Sequence, residues 1–138
     1  MSIGIAIRVA VMIGIAVCLA SIANAAQGLA VWYKNDSKKP MPPYTPSKCY
    51  GNQNNGLIVA GVSDALWNNG AACGRRYRVT CIGGANKAPH PCKRGSVVVK
   101  IVDYCSRGCM GDINLSQDAF SRIADTDAGI VRVQYDQV

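Results

Sequence analysis

The sequence predicts an all-β domain, closed into a small barrel and carrying one clear helix. Three observations point there. Five short segments rich in β-branched and aromatic residues are each bounded by Gly, Pro, Asn or Ser. Only one stretch shows a clear apolar stripe at helical spacing. The cysteines left after an N-terminal leader are even in number, as in a secreted domain, and closure removes the strand edges such a protein must otherwise protect.

The chain opens with an address. Arg8 precedes an apolar run at 9–20, and Ala23-Asn24-Ala25 has the small-x-small form that signal peptidase accepts. Residues 1–25 are therefore expected to be a signal peptide and 26–138 a single secreted domain. A membrane anchor fits less well, because the apolar run falls short of the roughly 20 residues a spanning helix needs.

The strand segments follow in order: 28–33 (GLAVWY), 56–62 (GLIVAGV), 75–82 (RRYRVTCI), 97–104 (VVVKIVDY) and 129–135 (GIVRVQY). Lys, Pro and Ser at 34–47, and Gly, Pro and Lys at 83–94, mark solvated loops. The helix is expected over 115–124, with Ser116 accepting from first-turn amides and Ala119, Phe120, Ile123 and Ala124 forming its apolar stripe. One further helical turn is expected at 63–67.

The formal charge is +7, and removal of Arg8 with the leader leaves +6. In a secreted protein this points to acidic polymers, anionic lipid or an acidic receptor surface rather than nucleic acid. Six cysteines remain: Cys49, Cys73, Cys81, Cys92, Cys105 and Cys109. They read as three disulfides, with every pairing open at this point. His90 is the one histidine, so neither a metal site nor a cofactor is expected, and no positioned base is at hand to activate a Cys or Ser.

All eight acidic residues are Asp, which excludes chemistry built on Glu. Val97, Val99, Ile101 and Asp103 share one strand face, so Asp103 continues an inward row and is a candidate acid, base or ligand contact. The alternative is that the strand ends there and Asp103 bonds loop amides. A glycosidase needs two carboxylates; where the second might come, the chain has Asn114, and Asp112 reads as a turn-stabilising residue instead. Arg76 and Arg78 share a strand face beside Arg75 and form an anchor for carboxylate or phosphate, or simply a solvated face. Alternation puts Trp32 and Tyr33 on opposite faces, so one of them is core. Two sequons occur: Asn35, in a loop, is a glycosylation candidate, whereas Asn114, in the expected cleft, is expected to be inaccessible once folded.

Several runs together resemble a plant family: AVWY at 30–33, PYTPSKCYG at 43–51, LWNNGAACGRRY at 66–77, VKIVDYC at 99–105 and GDINLSQDAF at 111–120. The chain is similar to the expansin-like, endoglucanase-45-like single-domain proteins, and CGRRYR and ADTDAG look like their natriuretic-peptide branch. That resemblance implies a six-stranded double-psi β-barrel with one or two short helices. It also suggests the pairs Cys49–Cys73 and Cys81–Cys92, with Cys105–Cys109 left by elimination. Where catalytic or wall-loosening relatives place a Thr and an acid, this chain has Val31 and Asn114, so Asp103 alone remains of the polar cleft. Loss of a general acid typically removes about 10²- to 10⁴-fold in rate, and no glycan hydrolysis is expected.

The function implied by the resemblance is a secreted signal in water and solute balance, acting in the apoplast as a monomer through a plasma-membrane receptor and cyclic GMP. Its active stretch maps to 44–81, which gives Tyr44, Trp67, Arg75, Arg76 and Arg78 as receptor-contact candidates. The competing expectation is a non-catalytic wall module that binds polysaccharide in a groove holding Tyr33, Asp103 and Asn114, with acidic wall polymers drawn by the positive charge.

Overall fold

In a computed structural model, residues 25–34, 43–106 and 109–138 are described. The expected leader, apart from Ala25, and the glycosylation candidate Asn35 lie outside them. The described chain forms β1 (Ala26–Tyr33), β2 (Val59–Val62), the short helix α1 (Asp64–Trp67), β3 (Arg76–Gly84), β4 (Ser96–Tyr104), β5 (Ile113–Ser116), the helix α2 (Gln117–Ile123) and β6 (Ile130–Gln137). The strands close into a barrel in the order β1-β5-β2-β4-β3-β6. Two pairs, β1 with β5 and β2 with β4, run parallel, and the rest are antiparallel. This is the six-stranded double-psi barrel, mostly sheet with two short helices.

Period-two alternation builds the interior. Tyr77, Val79 and Cys81 of β3, Val97, Val99 and Ile101 of β4, and Val131, Val133 and Tyr135 of β6 are buried, while Arg76 and Arg78 turn outward between them. Phe120 and Ile123 carry the stripe of α2 into the same core. At about 25 cal/mol per Å² of apolar surface removed from water, these rows are the main stabilising contribution. Cross-links join Cys49 to Cys73, Cys81 to Cys92, and Cys105 to Cys109.

Two sequence expectations are corrected. The stretch expected to be helical from residue 115 begins as β5, and α2 starts only at Gln117. Ser116 still caps it, its hydroxyl accepting from the Ala119 amide at 3.2 Å. The β5 segment is four residues long and pairs parallel with β1 on one side and antiparallel with β2 on the other; those pairings, not its local pattern, make it a strand. The second strand is shorter than 56–62, because residues 56–58 precede the paired segment Val59–Val62.

Candidate groove and basic face

One end of the barrel opens into a groove of about 710 Å³, lined among others by Val31, Tyr33, Tyr44, Asp103, Met110 and Asn114. Its parts come from distant stretches of chain. The 43–51 loop is tied to the body by the Cys49–Cys73 disulfide and by the Cys49 amide bonding to the Val102 carbonyl at 3.0 Å. That anchoring lays Tyr44 into the groove floor, where its hydroxyl donates to the backbone carbonyl of Asn114. The Tyr33 and Tyr44 rings meet at 4.2 Å between centroids, tilted by 52°.

Gly61 makes this packing possible. A Cβ there would stand 3.2 Å from both the ring edge and hydroxyl of Tyr44, and 3.3 Å from the Asp103 carbonyl. Sequence reasoning missed this residue; the Gly inside an otherwise apolar strand was the available signal, since such a glycine often marks a close approach. Tyr44 itself has a left-handed backbone, φ 59°, a conformation rare for a bulky residue and sustained here by the contacts around it.

The groove is a poor place for phenolate. Burial pushes the ionisation of Tyr33 and Tyr44 upward, and the charge of Asp103 adds to it in both cases. The Tyr33 hydroxyl is buried without a hydrogen-bond partner among the described residues; the Tyr44 backbone approaches it without reaching bonding geometry. Asp118 adds negative charge near that hydroxyl but does not line the groove.

Asp103 sits at the end of β4, half-buried, and its Oδ1 accepts from the Lys48 amide at 2.8 Å. The carboxylate therefore bonds a loop amide while lining the groove, so both sequence readings of it apply in part. Asn114 stands on β5, and it and Asp103, the one carboxylate among the described lining residues, are the register partners of Gly61 on either side of β2. Asp112 is elsewhere: its Oδ2 accepts from the Leu29 amide at 2.9 Å, and the space it occupies is the one a Cβ on Gly28 would fill. It fastens β1 and takes no part in the groove. Among the described lining residues Asp103 is therefore the single carboxylate, set among ring faces and hydrogen-bonding groups.

Trp32 and Tyr33 are both half-buried and both line the groove, so neither is wholly core as alternation alone suggested, although they pack against different partners. Trp32 packs toward Phe120, centroids 6.3 Å apart, with its indole N–H on the Thr126 carbonyl at 2.9 Å, while Tyr33 faces Tyr44. Of the five receptor-contact candidates, Tyr44 is in the groove floor. Trp67 is half-buried and lies 5.1 Å from the Tyr104 ring, and the Tyr104 hydroxyl in turn bonds the Asp64 carboxylate. Arg75 is half-buried at the start of β3, its carbonyl accepting from Ile101 at 2.8 Å. Only Arg76 and Arg78 are exposed, together on one face of β3. The structure does not bring the five into one surface.

A family model described as lytic transglycolase matches residues 59–135. An EG45-like domain containing protein of Citrus jambhiri is 46% identical over 97% of this chain and 98% of its own length. EG45-like domain containing protein 2 of Arabidopsis thaliana is 54% identical over 92% of each. Among solved structures, the apo expansin of Clavibacter michiganensis superposes with a TM-score of 0.61 at 27% identity, over 83% of this chain and 50% of that one. An Asp-to-Asn variant of the same expansin, in complex with cellohexaose, matches equally well at 28% identity.

Proposed function

Because the chain belongs to the EG45-like, expansin-like family of double-psi β-barrels, we propose that it is a secreted, non-catalytic member acting as an extracellular signal in water and solute balance. The observation that carries the non-catalytic half is the groove itself: Asp103 is its one described carboxylate, and Asn114 stands where a second would be needed. An amide cannot supply the proton that a departing sugar oxygen takes up. Incubation with glucans should release no reducing ends. The signalling half follows the similarity in sequence to the natriuretic branch, and the three disulfides support a small domain that persists outside the cell.

The test is the volume of wall-free plant protoplasts given nanomolar oxidised protein, with reduced and alkylated protein as control. Swelling that requires the disulfides is the expected result and means a folded signal acting through a plasma-membrane receptor. No swelling at any dose overturns it.

A second reading has its own observation. The groove is open and aromatic-walled, and a related expansin has been solved with cellohexaose. A non-catalytic polysaccharide-binding module would use Tyr33, Asp103 and Asn114 to hold a sugar chain. Co-sedimentation with cellulose, lost on Tyr33→Ala, is its signature; wild-type protein left in the supernatant removes it.

A further inference from the structure

The outward face of β3 takes no part in the groove, and its cations gather at one end. Alternation turns Arg76 and Arg78 to solvent, about 7 Å apart along the strand. Lys100 on β4 is the cross-strand neighbour of Arg76; its ammonium bonds the Asn55 side chain at 3.1 Å and lies over the Tyr50 ring. Arg132 is exposed farther along on β6, and Asp136, opposite Arg78, is the acid nearest the pair in register. Beyond the cations come uncharged hydrogen-bonding groups: Thr80, with Ser96 on one side and Gln134 on the other. Among the described residues of these rows no aromatic ring is exposed, and the large apolar residues Ile82 and Val138 are exposed at opposite ends.

We propose that this face is a docking track for a polyuronate, an acidic polysaccharide carrying one carboxylate per sugar. Planar guanidinium groups accept carboxylates through paired hydrogen bonds, and the Thr, Ser and Gln positions offer partners for the sugar hydroxyls between them. A protein partner would concentrate its binding energy in buried rings and Arg anchors together, and the ring beside these cations, Tyr50, is half-buried and already covered by Lys100. A lipid surface would require a broad apolar flank beside the cations, and here Val138, whose amide bonds the Arg76 carbonyl, is a single exposed apolar residue next to them. The chain's formal charge of +7 draws any polyanion; the fork geometry selects the carboxylate. The inference rests on the reading of the protein as extracellular and is independent of its signalling. Its consequence is retention: polymer rich in free acid holds the protein near its source, and esterified polymer releases it.

The test uses the whole oxidised protein, with beads bearing polygalacturonate and beads bearing the same polymer fully methyl-esterified. At about 0.15 M salt, where exposed charges are screened beyond about 8 Å, retention is expected on the free acid and not on the ester. The R76A/R78A double variant should bind at least about tenfold more weakly. K87A/R122A removes the same charge from exposed positions outside this face and should bind almost as the wild type does. Equal losses in the two doubles would overturn the proposal, because net charge alone would then suffice. So would full retention of R76K/R78K, which keeps the charge and lacks the fork. Loss of protoplast swelling in R76A/R78A with polygalacturonate retention unchanged would assign the face to the receptor instead. Wild-type protein that binds the free acid and fails to swell protoplasts would leave this inference standing and the signalling reading fallen.

Discussion

The groove and the outer face of β3 belong to one barrel and are made in opposite ways. The groove is assembled from five stretches, with Tyr44 reaching Asn114 across 70 residues and Lys48 reaching Asp103 across 55. The face is laid out by alternation along β3 and its paired neighbours β4 and β6, every second side chain of β3 pointing out as far as Arg78. One region is ring-lined, with desolvated tyrosines and a single described carboxylate; the other is wet and cationic. The difference teaches that a barrel of this kind separates what it encloses from what it displays, and either can change without the other.

Four changes and one titration break or sharpen that contrast. The largest effect is expected from C49S/C73S, which frees the loop bearing Tyr44 and Lys48. Removing a cross-link that closes a loop of this length costs about 3 kcal/mol, read as a lower denaturation midpoint. The groove should lose its Tyr33–Tyr44 contact while polygalacturonate retention by the folded fraction persists; joint loss would mean the regions are coupled.

Next comes Gly61→Val. With backbone and ring atoms already at 3.2–3.3 Å from the first added carbon, overpacking should cost about 1–3 kcal/mol and displace Tyr44. An unchanged midpoint in urea would show that the loop yields freely and that the groove floor is not fixed by β2.

The third test is alkaline pH. Burial raises the ionisation of Tyr33 and Tyr44 in the folded state, so their contribution to stability is complete below the ordinary tyrosine value of about 10 and is lost as pH rises beyond it. The unfolded chain releases those protons first. Phenolate absorbance should therefore appear late for the groove pair, together with unfolding, and Y33F/Y44F should weaken the dependence. Groove tyrosines that titrate normally in folded protein would overturn the desolvated picture.

Smaller still is Tyr33→Phe. It removes a buried hydroxyl without a partner among the described residues, so the change should be near neutral or slightly stabilising. A loss above about 1 kcal/mol would mean that the hydroxyl is bonded in solution, by water or otherwise. Smallest is R76A/R78A, which should shift stability by no more than about 0.5 kcal/mol, because both side chains are exposed.

The strand pattern was legible because alternation is local: Val79 inward and Arg78 outward can be read from neighbours in the chain, and the rows of β3 and β6 follow the same rule, as does β4 as far as Ile101, beyond which Val102 is also buried and the pairing with β2 shifts register. The cap at Ser116 was legible for the same reason. What hid β5 was its length, since a four-residue segment has no period of its own to display and becomes a strand only between β1 and β2. The groove was half legible. Asp103 and Asn114 stood out as an acid and a missing acid, but Gly61 and the loop amide of Lys48 acquire their meaning only from atoms on other elements, Tyr44 and Asp103 among them.

By itself, then, the sequence determined an all-β chain with one principal amphipathic helix, a basic charge, an even set of cysteines and a cleft with one carboxylate. These properties follow from residue type and short-range spacing. The tertiary structure alone decided which segments close the barrel, that Trp32 and Tyr33 both come to line the groove, and which of five receptor-contact candidates are fully exposed. Those outcomes depend on loop closure and on the desolvation of particular side chains, and neither is a property of any short stretch of chain.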